Sequence, residues 1–543
     1  MNCITVDNQK NIKQSGINKY QYDDIHIYVD GIIYVYGKKV GKESVDWIAD
    51  TIHNTGTIPF EELRGAYTCV IKEGDKIIAF SDNSCMHCLY YSNSLISNSF
   101  LKIVEYGAKS GMELTFNEDA ICEYLTIGNI YFEKTFFSNI HILHSSDMIT
   151  IKENRIHIVK KGVGDVDGIS SLTSINQFFE KLAYSFSDMR ICQALTGGYD
   201  SRLIYACLSN KIKDHPAISA NDLNNKDVKI AKAVAIANND NLEIINVEKP
   251  VFNDDFIREM FVKKDGIEPF DIDADVRLHV FNAKLAQEYN ILITGDGGVL
   301  HKDWEWIQDF PFYKKRKSNA NQFYKQRLYY IQIDSHIGEK LKKNLNLQAN
   351  HFKTSLDSIA KSINTQSYDS WYYWVSGNRR TELNCNSAEG IINYAPLQEM
   401  DIVRYSYALP RWRRFFFNSI RETMTKENKK IARIKTNYGT NASYEIPYIL
   451  ADMIFQSIEY CRKALRLIGR KLMHKNLMNK SILTWSLEEE IRNASITDKA
   501  IDYARQNGFI KTELHINDLS YTEIQRLLHI YCLYCFIKNN DSL

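Results

Sequence analysis

The stretch "QALTGGYDSRL", Gln193–Leu203, sets two glycines, two aliphatic hydroxyls and a carboxylate within six residues, directly after a short apolar run. Gly197 and Gly198 allow a tight turn and bring backbone N–H groups close to an anion. Thr196, Ser201 and the start of a following helix add donors and the positive end of a helix dipole. Asp200 would repel a bare phosphate, but it serves where Mg²⁺ bridges carboxylate and phosphate oxygens. The spacing therefore reads as a pyrophosphate cradle with a metal-binding aspartate. A plain glycine turn is the rival reading, and the full pattern between a strand and a helix favours the cradle. No Gly-Lys-Ser/Thr follows, so this is not a lysine-bearing P-loop.

Such a turn must be positioned by strands and helices, and the chain offers two rhythms. The first ~160 residues read as hairpins. "HIYVDGIIYVYGKKVG" is expected to turn at Asp30-Gly31, "GAYTCVIKEGDKIIAFSD" at Glu73-Gly74-Asp75, and "IHILHSSDMITIKENRIHIVK" gives a third pair. A helix capped near Asn117 lies between them. The segment Lys160–Ser174, rich in Gly, Ser and Asp, reads as a linker. Beyond it short apolar strands ("ICQAL", "PAISA", "LEIINV", "ILITG") alternate with amphipathic helices, the pattern of a doubly wound parallel sheet. From about Asp303 the chain reads as mostly helical. In an open parallel sheet ligands bind beyond the carboxyl ends of the strands, which is where the Gly197-Gly198 turn falls.

The balance of 67 Lys and Arg against 66 Asp and Glu speaks against a nucleic-acid partner. No apolar run is long enough for a membrane span; "LLHIYCLYCFI", Leu527–Ile537, reads as a core helix. The polar start and the absence of a signal peptide suggest a cytoplasmic protein, and its eleven cysteines are expected as free thiols. Cys85 and Cys88, with Cys532 and Cys535, could supply four thiolates to zinc, although burial as small core residues is the better reading.

"LTGGYDSR" resembles the pyrophosphate-loop signature of the ATP-pyrophosphatases, which adenylate a substrate and release pyrophosphate. The wider order resembles one branch, the asparagine synthetase family with its β-lactam synthetase and lasso-peptide cyclase relatives. "GAYTCVIKEGDKIIAFSDNSCMHCLYYS", "ISANDLNNKDVKIAKAVAIANN", "ILITGDGG", "NYAPLQEMDIVRYSYALP" and "RIKTNYG" carry that likeness along nearly the whole chain.

The resemblance implies an Ntn-hydrolase-like α+β layered domain over 1–165, similar to a class II glutamine amidotransferase. It implies an α/β synthetase domain over 166–543 with a helical C-terminal part. ATP and Mg²⁺ are the implied cofactors. Leu195, Thr196, Gly197, Gly198, Asp200, Ser201, Ser219, Gly295 and Gly297 are the implied ATP-binding residues, with Asp200 as the Mg²⁺ ligand. Lys435, beside Arg433, would neutralise charge on the adenylate and the leaving pyrophosphate. Asp296 would orient or deprotonate an incoming amine, or else only cap its turn.

Val299 stands where the family has a second metal-binding Asp, so Asp296 or Asp303 would substitute, or Asp200 and the phosphates would suffice. The family's acceptor-side Glu falls near Ile392, with Glu389 three residues away. Cys3 follows Met1-Asn2, which leaves no N-terminal cysteine amine, so a glutaminase-like fold without glutaminase activity is expected.

The implied reaction joins a small-molecule or peptide carboxylate to ammonia or an amine. A macrolactam cyclase, a sugar-uronate amidotransferase and a non-catalytic nucleotide-binding scaffold stay open, and oligomers are compatible with the sequence. The basic run Arg462–Lys480 reads as a solvated helix face or an anion-binding segment, and Trp304 and Trp306 as core or acceptor-pocket residues.

Overall fold

The computed structural model describes residues 2–220, 225–302, 320–327, 335–363, 368–377, 390–414, 417–437, 439–455, 457–458, 461 and 485–541. Asp303, Trp304, Trp306, Glu389 and the run Arg462–Lys480 lie outside the described residues.

The N-terminal half is built from two antiparallel sheets. One contains β1 (Cys3–Asp7), β2 (Ile12–Ser15), β7 (Tyr90–Tyr91), β8 (Leu95–Ser97) and β9 (His141–Ile142), in the order β2-β1-β8-β7-β9. The other contains β3 (Asn18–Tyr22), β4 (Ile25–Tyr34), β5 (Arg64–Glu73), β6 (Lys76–Ser81), β10 (Asp147–Lys152) and β11 (Arg155–Lys160), in the order β11-β10-β6-β5-β4-β3. Alternating side chains give each sheet two apolar faces. Ile4, Val6 and Ile96 of the first meet Val70, Ile77 and Ile149 of the second. The outer face of the second sheet receives Val45, Ile48 and Ile52 of α1 (Lys42–Thr55). The outer face of the first packs with α2 (Phe100–Ser110) and α3 (Glu118–Ile127). The result is an α-β-β-α stack. The Asn117 side chain caps α3 by accepting from Ala120 N–H, as its sequence position suggests.

Two expected hairpins form, with turns at Gly74-Asp75 and at Glu153-Asn154, the latter pair both at positive φ. The third expectation is overturned. Asp30-Gly31 is no turn; β4 runs straight through it, pairing Asp30 with Thr68 and Gly31 with Tyr67. The turn falls earlier, at Asp23-Asp24, where Asp23 takes φ 43° and β3 folds back on β4. Gly31 is needed for another reason: a Cβ there would lie 2.1 Å from the Ala66 carbonyl oxygen. A close approach of two strands and a tight turn leave the same Asp-Gly signature in a sequence.

The expected linker holds no helix or strand between 161 and 174, yet it is packed down. Val166 is fully buried, and Arg404 donates to the carbonyls of Gly164 and Asp165.

The second half is organised on five parallel strands: β12 (Ile191–Ala194), β13 (Ala217–Ser219), β14 (Leu242–Ile244), β15 (Ile291–Ile293) and β16 (Ile392–Tyr394), in the order β14-β13-β12-β15-β16. The strand β16 lies in the region read as mostly helical; at three residues it is too short to show a period. Side chains alternate between faces. Ile191, Ile291 and Ile293 pack with α4 (Ile175–Phe186) and α5 (Asp200–Leu208). Cys192, Ile218 and Leu292 pack with Phe281 and Leu285 of a helix over Ile272–Leu285. Helices thus cover both faces, and each βα connection ends at the carboxyl edge. The C-terminal helix Tyr521–Asp541 folds back to pack beside α2 and α3 in the core that also holds Cys85, Cys88 and Cys532. No helix among the described residues is long and apolar enough to cross a membrane.

Candidate functional site

The strand order reverses between β12 and β15, which are hydrogen-bonded neighbours. Such a reversal is where ligand crevices open in parallel sheets, beyond the carboxyl ends of the strands. Both glycine-rich loops fall at this point: Leu195–Tyr199 follows β12 and Thr294–Gly298 follows β15.

The first loop is closed by its own hydroxyls. Ser201 Oγ accepts from Thr196 N–H at 3.1 Å and lies 2.9 Å from Thr196 Oγ1, while Gly198 N–H points to Thr196 Oγ1 at 3.4 Å. Gln193, on β12 beneath, donates from Nε2 to the Ser201 carbonyl at 2.6 Å and fixes the start of α5. The Ser201 hydroxyl therefore shapes the loop. Asp200 opens α5, where a negative charge is favoured by the helix dipole.

The second loop presses on the first. A Cβ at Gly295 would lie 2.9 Å from Ser201 N, and one at Gly298 only 2.1 Å from Asp200 Cγ. Gly297 takes φ 80° and its missing Cβ leaves room for Gln398, 2.3 Å from where that atom would be. Gly197 in turn makes room for Asp227 of the helix Lys226–Ala237, whose Oδ1 would lie 2.7 Å away from a Cβ. Four of the five loop glycines are thus explained by contacts inside the chain. Gly198 is different: among the described residues its Cβ would meet nothing nearer than Thr196 Oγ1 at 3.5 Å, an ordinary contact.

The third component is the segment around "RIKTNYG". Arg202 is fully buried and donates to the carbonyls of Ile434, Lys435 and Gly197, at 2.5, 3.1 and 3.3 Å. Burial lowers its pKa to about 10. Asn437 N–H also donates to the Gly197 carbonyl at 3.0 Å, and its side chain donates to Asp227 Oδ1. The segment is therefore bound to the first loop by its backbone, with the Lys435 side chain exposed. Arg433 turns away into a two-point ion pair with Glu445.

Leu195 is buried and bonded through its N–H to Ile218 O, and Ser219 is buried at the end of β13. Asp296 is exposed, and Thr294 donates to its Oδ2 at 2.7 Å. It lies in the second loop, and its hydrogen bond is to Thr294 and not to Asp200. Val299, expected to be unable to hold a metal, packs against an apolar cluster with Leu300.

Lys302 is the residue the sequence reading missed. Its Nζ lies 2.7 Å from Asp200 Oδ2 and 5.0 Å from the centroid of the Phe417 ring. Phe417 stacks face to face on Tyr199 of the first loop, at 4.4 Å. No motif marks a lysine four residues past Gly298. Beneath the second loop, neutral His301 donates from Nε2 to Leu397 O and accepts the Ser406 hydroxyl at Nδ1. Burial holds its pKa near about 4.

Asp200 Oδ1 is buried under Gly298 and has no hydrogen-bond partner among the described residues, so one carboxylate oxygen is left for a ligand to complete. That suits Mg²⁺, which usually takes one or two carboxylates and completes its shell with phosphates and water. Among the described residues no three His, Cys, Asp or Glu side chains gather as a metal cluster, and the cysteine quartet forms none. Cys3 is half-buried in β1, its thiol pKa raised by burial, with Ser97 Oγ 3.9 Å from its sulfur.

No family model matches the sequence, and no curated protein matches it. Among solved structures it is similar to a glutamine phosphoribosylpyrophosphate amidotransferase from B. subtilis complexed with ADP and GMP. That likeness is 10% identical and covers 37% of this chain and 47% of that one, at a TM-score of 0.15. The chain thus spans about half the length of that protein.

Proposed function

We propose that the protein is an ATP-dependent amide-bond-forming synthetase of the kind the asparagine synthetase family represents. It would adenylate a carboxylate, release pyrophosphate, and pass the acyl group to ammonia or an amine. The observation that carries the reading is the meeting of two glycine-rich loops on Asp200 at the switch point of the sheet. Gly198 leaves the approach to the first loop open, and the α5 dipole favours anionic oxygens there.

Mg²⁺ held by Asp200 would neutralise phosphate charge and polarise the α-phosphate. The chain's own residues do the rest. The Lys435 side chain, whose backbone is tied to the loop through Arg202, would follow charge onto the leaving pyrophosphate. Asp296, exposed beside the loop, would meet the amine. The acceptor carboxylate, small molecule or peptide, would enter from that side.

The test is product identity. With ATP, Mg²⁺ and a panel of carboxylates and amines, AMP and pyrophosphate should form, and Asp200→Ala should abolish both without unfolding the chain. Formation of ADP and phosphate instead would refute adenylation. The Lys302–Asp200 pair favours one rival, a nucleotide-binding scaffold whose metal ligand is already neutralised. That rival gives binding without AMP for every acceptor.

A further inference from the structure

The negative charge of a triphosphate has to be met by cations, and the cradle supplies few protein ligands for metals. Among the described residues of the cradle, Asp200 Oδ1 is a buried carboxylate oxygen without a hydrogen-bond partner. Among the described residues the other carboxylates at the loops each accept a hydrogen bond, Asp296 from Thr294 and Asp227 from Asn437. Val299 is in an apolar cluster. Lys302 supplies a positive charge at the same spot. It is only 13% exposed, its Nζ is on Asp200 Oδ2, and the Phe417 ring backs it through the stack on Tyr199. The pair is only partly withdrawn from water, but a buried carboxylate oxygen left unmatched is costly unless a ligand completes it.

We infer that Lys302 is a phosphate-binding cation of this site, and that the site takes one divalent cation per nucleotide, held among the described residues by Asp200. This rests on the reading of the cradle as a nucleoside triphosphate site. Lys302 takes the part that a second metal would otherwise play: a compact positive charge beside the phosphates, needing no carboxylate of its own. Asp200 orients it in the free chain, and the incoming phosphates share it. Such an ammonium should discriminate by phosphate number, because a monophosphate leaves it with less charge to meet.

The experiment uses the full chain and has two arms. In the first, Mn²⁺ replaces Mg²⁺, and paramagnetic resonance counts the bound ions at saturating ATP; one ion per chain is expected. In the second, calorimetry compares ATP and AMP binding to the wild type, Lys302→Met and Lys302→Arg. Lys302→Met should weaken ATP about ten- to a hundredfold and change AMP by less than about threefold, with Lys302→Arg recovering part of the loss. Two Mn²⁺ per chain, or unchanged ATP affinity in folded Lys302→Met, overturns the inference and leaves the nucleotide reading standing. Equal losses for ATP and AMP assign Lys302 to loop structure and also overturn it. Should Lys302→Met not fold, the ion count and Lys302→Arg decide. Failure of the wild type to bind ATP with either metal removes the nucleotide reading itself.

Discussion

Substituting alanine at Gly198 and at Gly298 separates a glycine kept for a ligand from one kept for the fold. At Gly298 the new Cβ would lie 2.1 Å from Asp200 Cγ and 2.5 Å from Asp200 Cβ. These atoms begin at the backbone of α5, so relief requires moving the loop or the helix start. Overpacking of that kind costs about 1–3 kcal/mol. At Gly198 the nearest described atom to the new Cβ is 3.5 Å away and φ is not in the left-handed region, so nothing among the described residues resists it. Gly198→Ala should therefore leave stability unchanged or raise it by up to about 1 kcal/mol, through lost freedom of the unfolded chain. A methyl on the open side would still hold phosphate oxygens off the loop amides. Loss of one charge-assisted hydrogen bond at about 1.5–3 kcal/mol weakens ATP binding about ten- to a hundredfold. Urea unfolding and calorimetric ATP titration of both variants measure the two effects independently. Gly198→Ala with wild-type ATP affinity would refute the argument that its open side serves a phosphate. Wild-type stability of Gly298→Ala would refute the loop contact.

Three further outcomes are expected. Arg202→Met leaves the carbonyls of Ile434, Lys435 and Gly197 without their donor, so it should cost about 3 kcal/mol or more in urea unfolding and speed hydrogen exchange across 433–441. Glu399 faces Arg64, Asp82, Tyr34 and Tyr394, and burial pushes its pKa up to about 8. A raised carboxyl pKa gives stability that is full below about 4.5 and is lost as pH rises through 8, so Glu399→Gln should gain up to about 3 kcal/mol at pH 7 and nothing near pH 4. His144, His215 and His301 are held near about 4 by burial. Their contribution is full above about 6.5 and is lost as pH falls toward 4, by about 2 kcal/mol each at pH 5; an unchanged urea midpoint between pH 7 and 5 in the Glu399→Gln background would contradict it.

The sheet rhythms were legible because period and length carry them: the "ICQAL" strand, the α5 helix and the Gly74-Asp75 turn all follow from local chemistry. The first loop was legible for the same reason, as its glycines, hydroxyls and carboxylate are contiguous. What stayed hidden depends on contacts far apart in sequence. Gly31 reads as a turn glycine until the Ala66 carbonyl is placed against it. Lys302 and Asp200 are separated by 102 positions, and only the pairing of β12 with β15 brings them together. Gly298 shows its purpose only with Asp200 beneath it, and Gly297 only with Gln398 placed against it.

The two halves of the chain are joined where the second loop is supported, and this gives the layered half a mechanical part in the site. Gly65 N–H and the Tyr394 hydroxyl both donate to Glu399 Oε1, at 2.8 and 2.9 Å, and Arg64 pairs with Asp401. Tyr34 meets Tyr394 hydroxyl to hydroxyl at 2.9 Å. These bonds fix the turn Pro396–Gln398, and Gln398 fills the space that Gly297 leaves while His301 holds the Leu397 carbonyl. The start of β5 in the antiparallel half therefore reaches the glycine loop that bears on Asp200 through Glu399 and Gln398. A half whose Cys3 thiol is discouraged from ionising by burial still has a physical reason to stay attached. Through Arg64, Gly65 and Tyr34 it keeps the second loop pressed against the first.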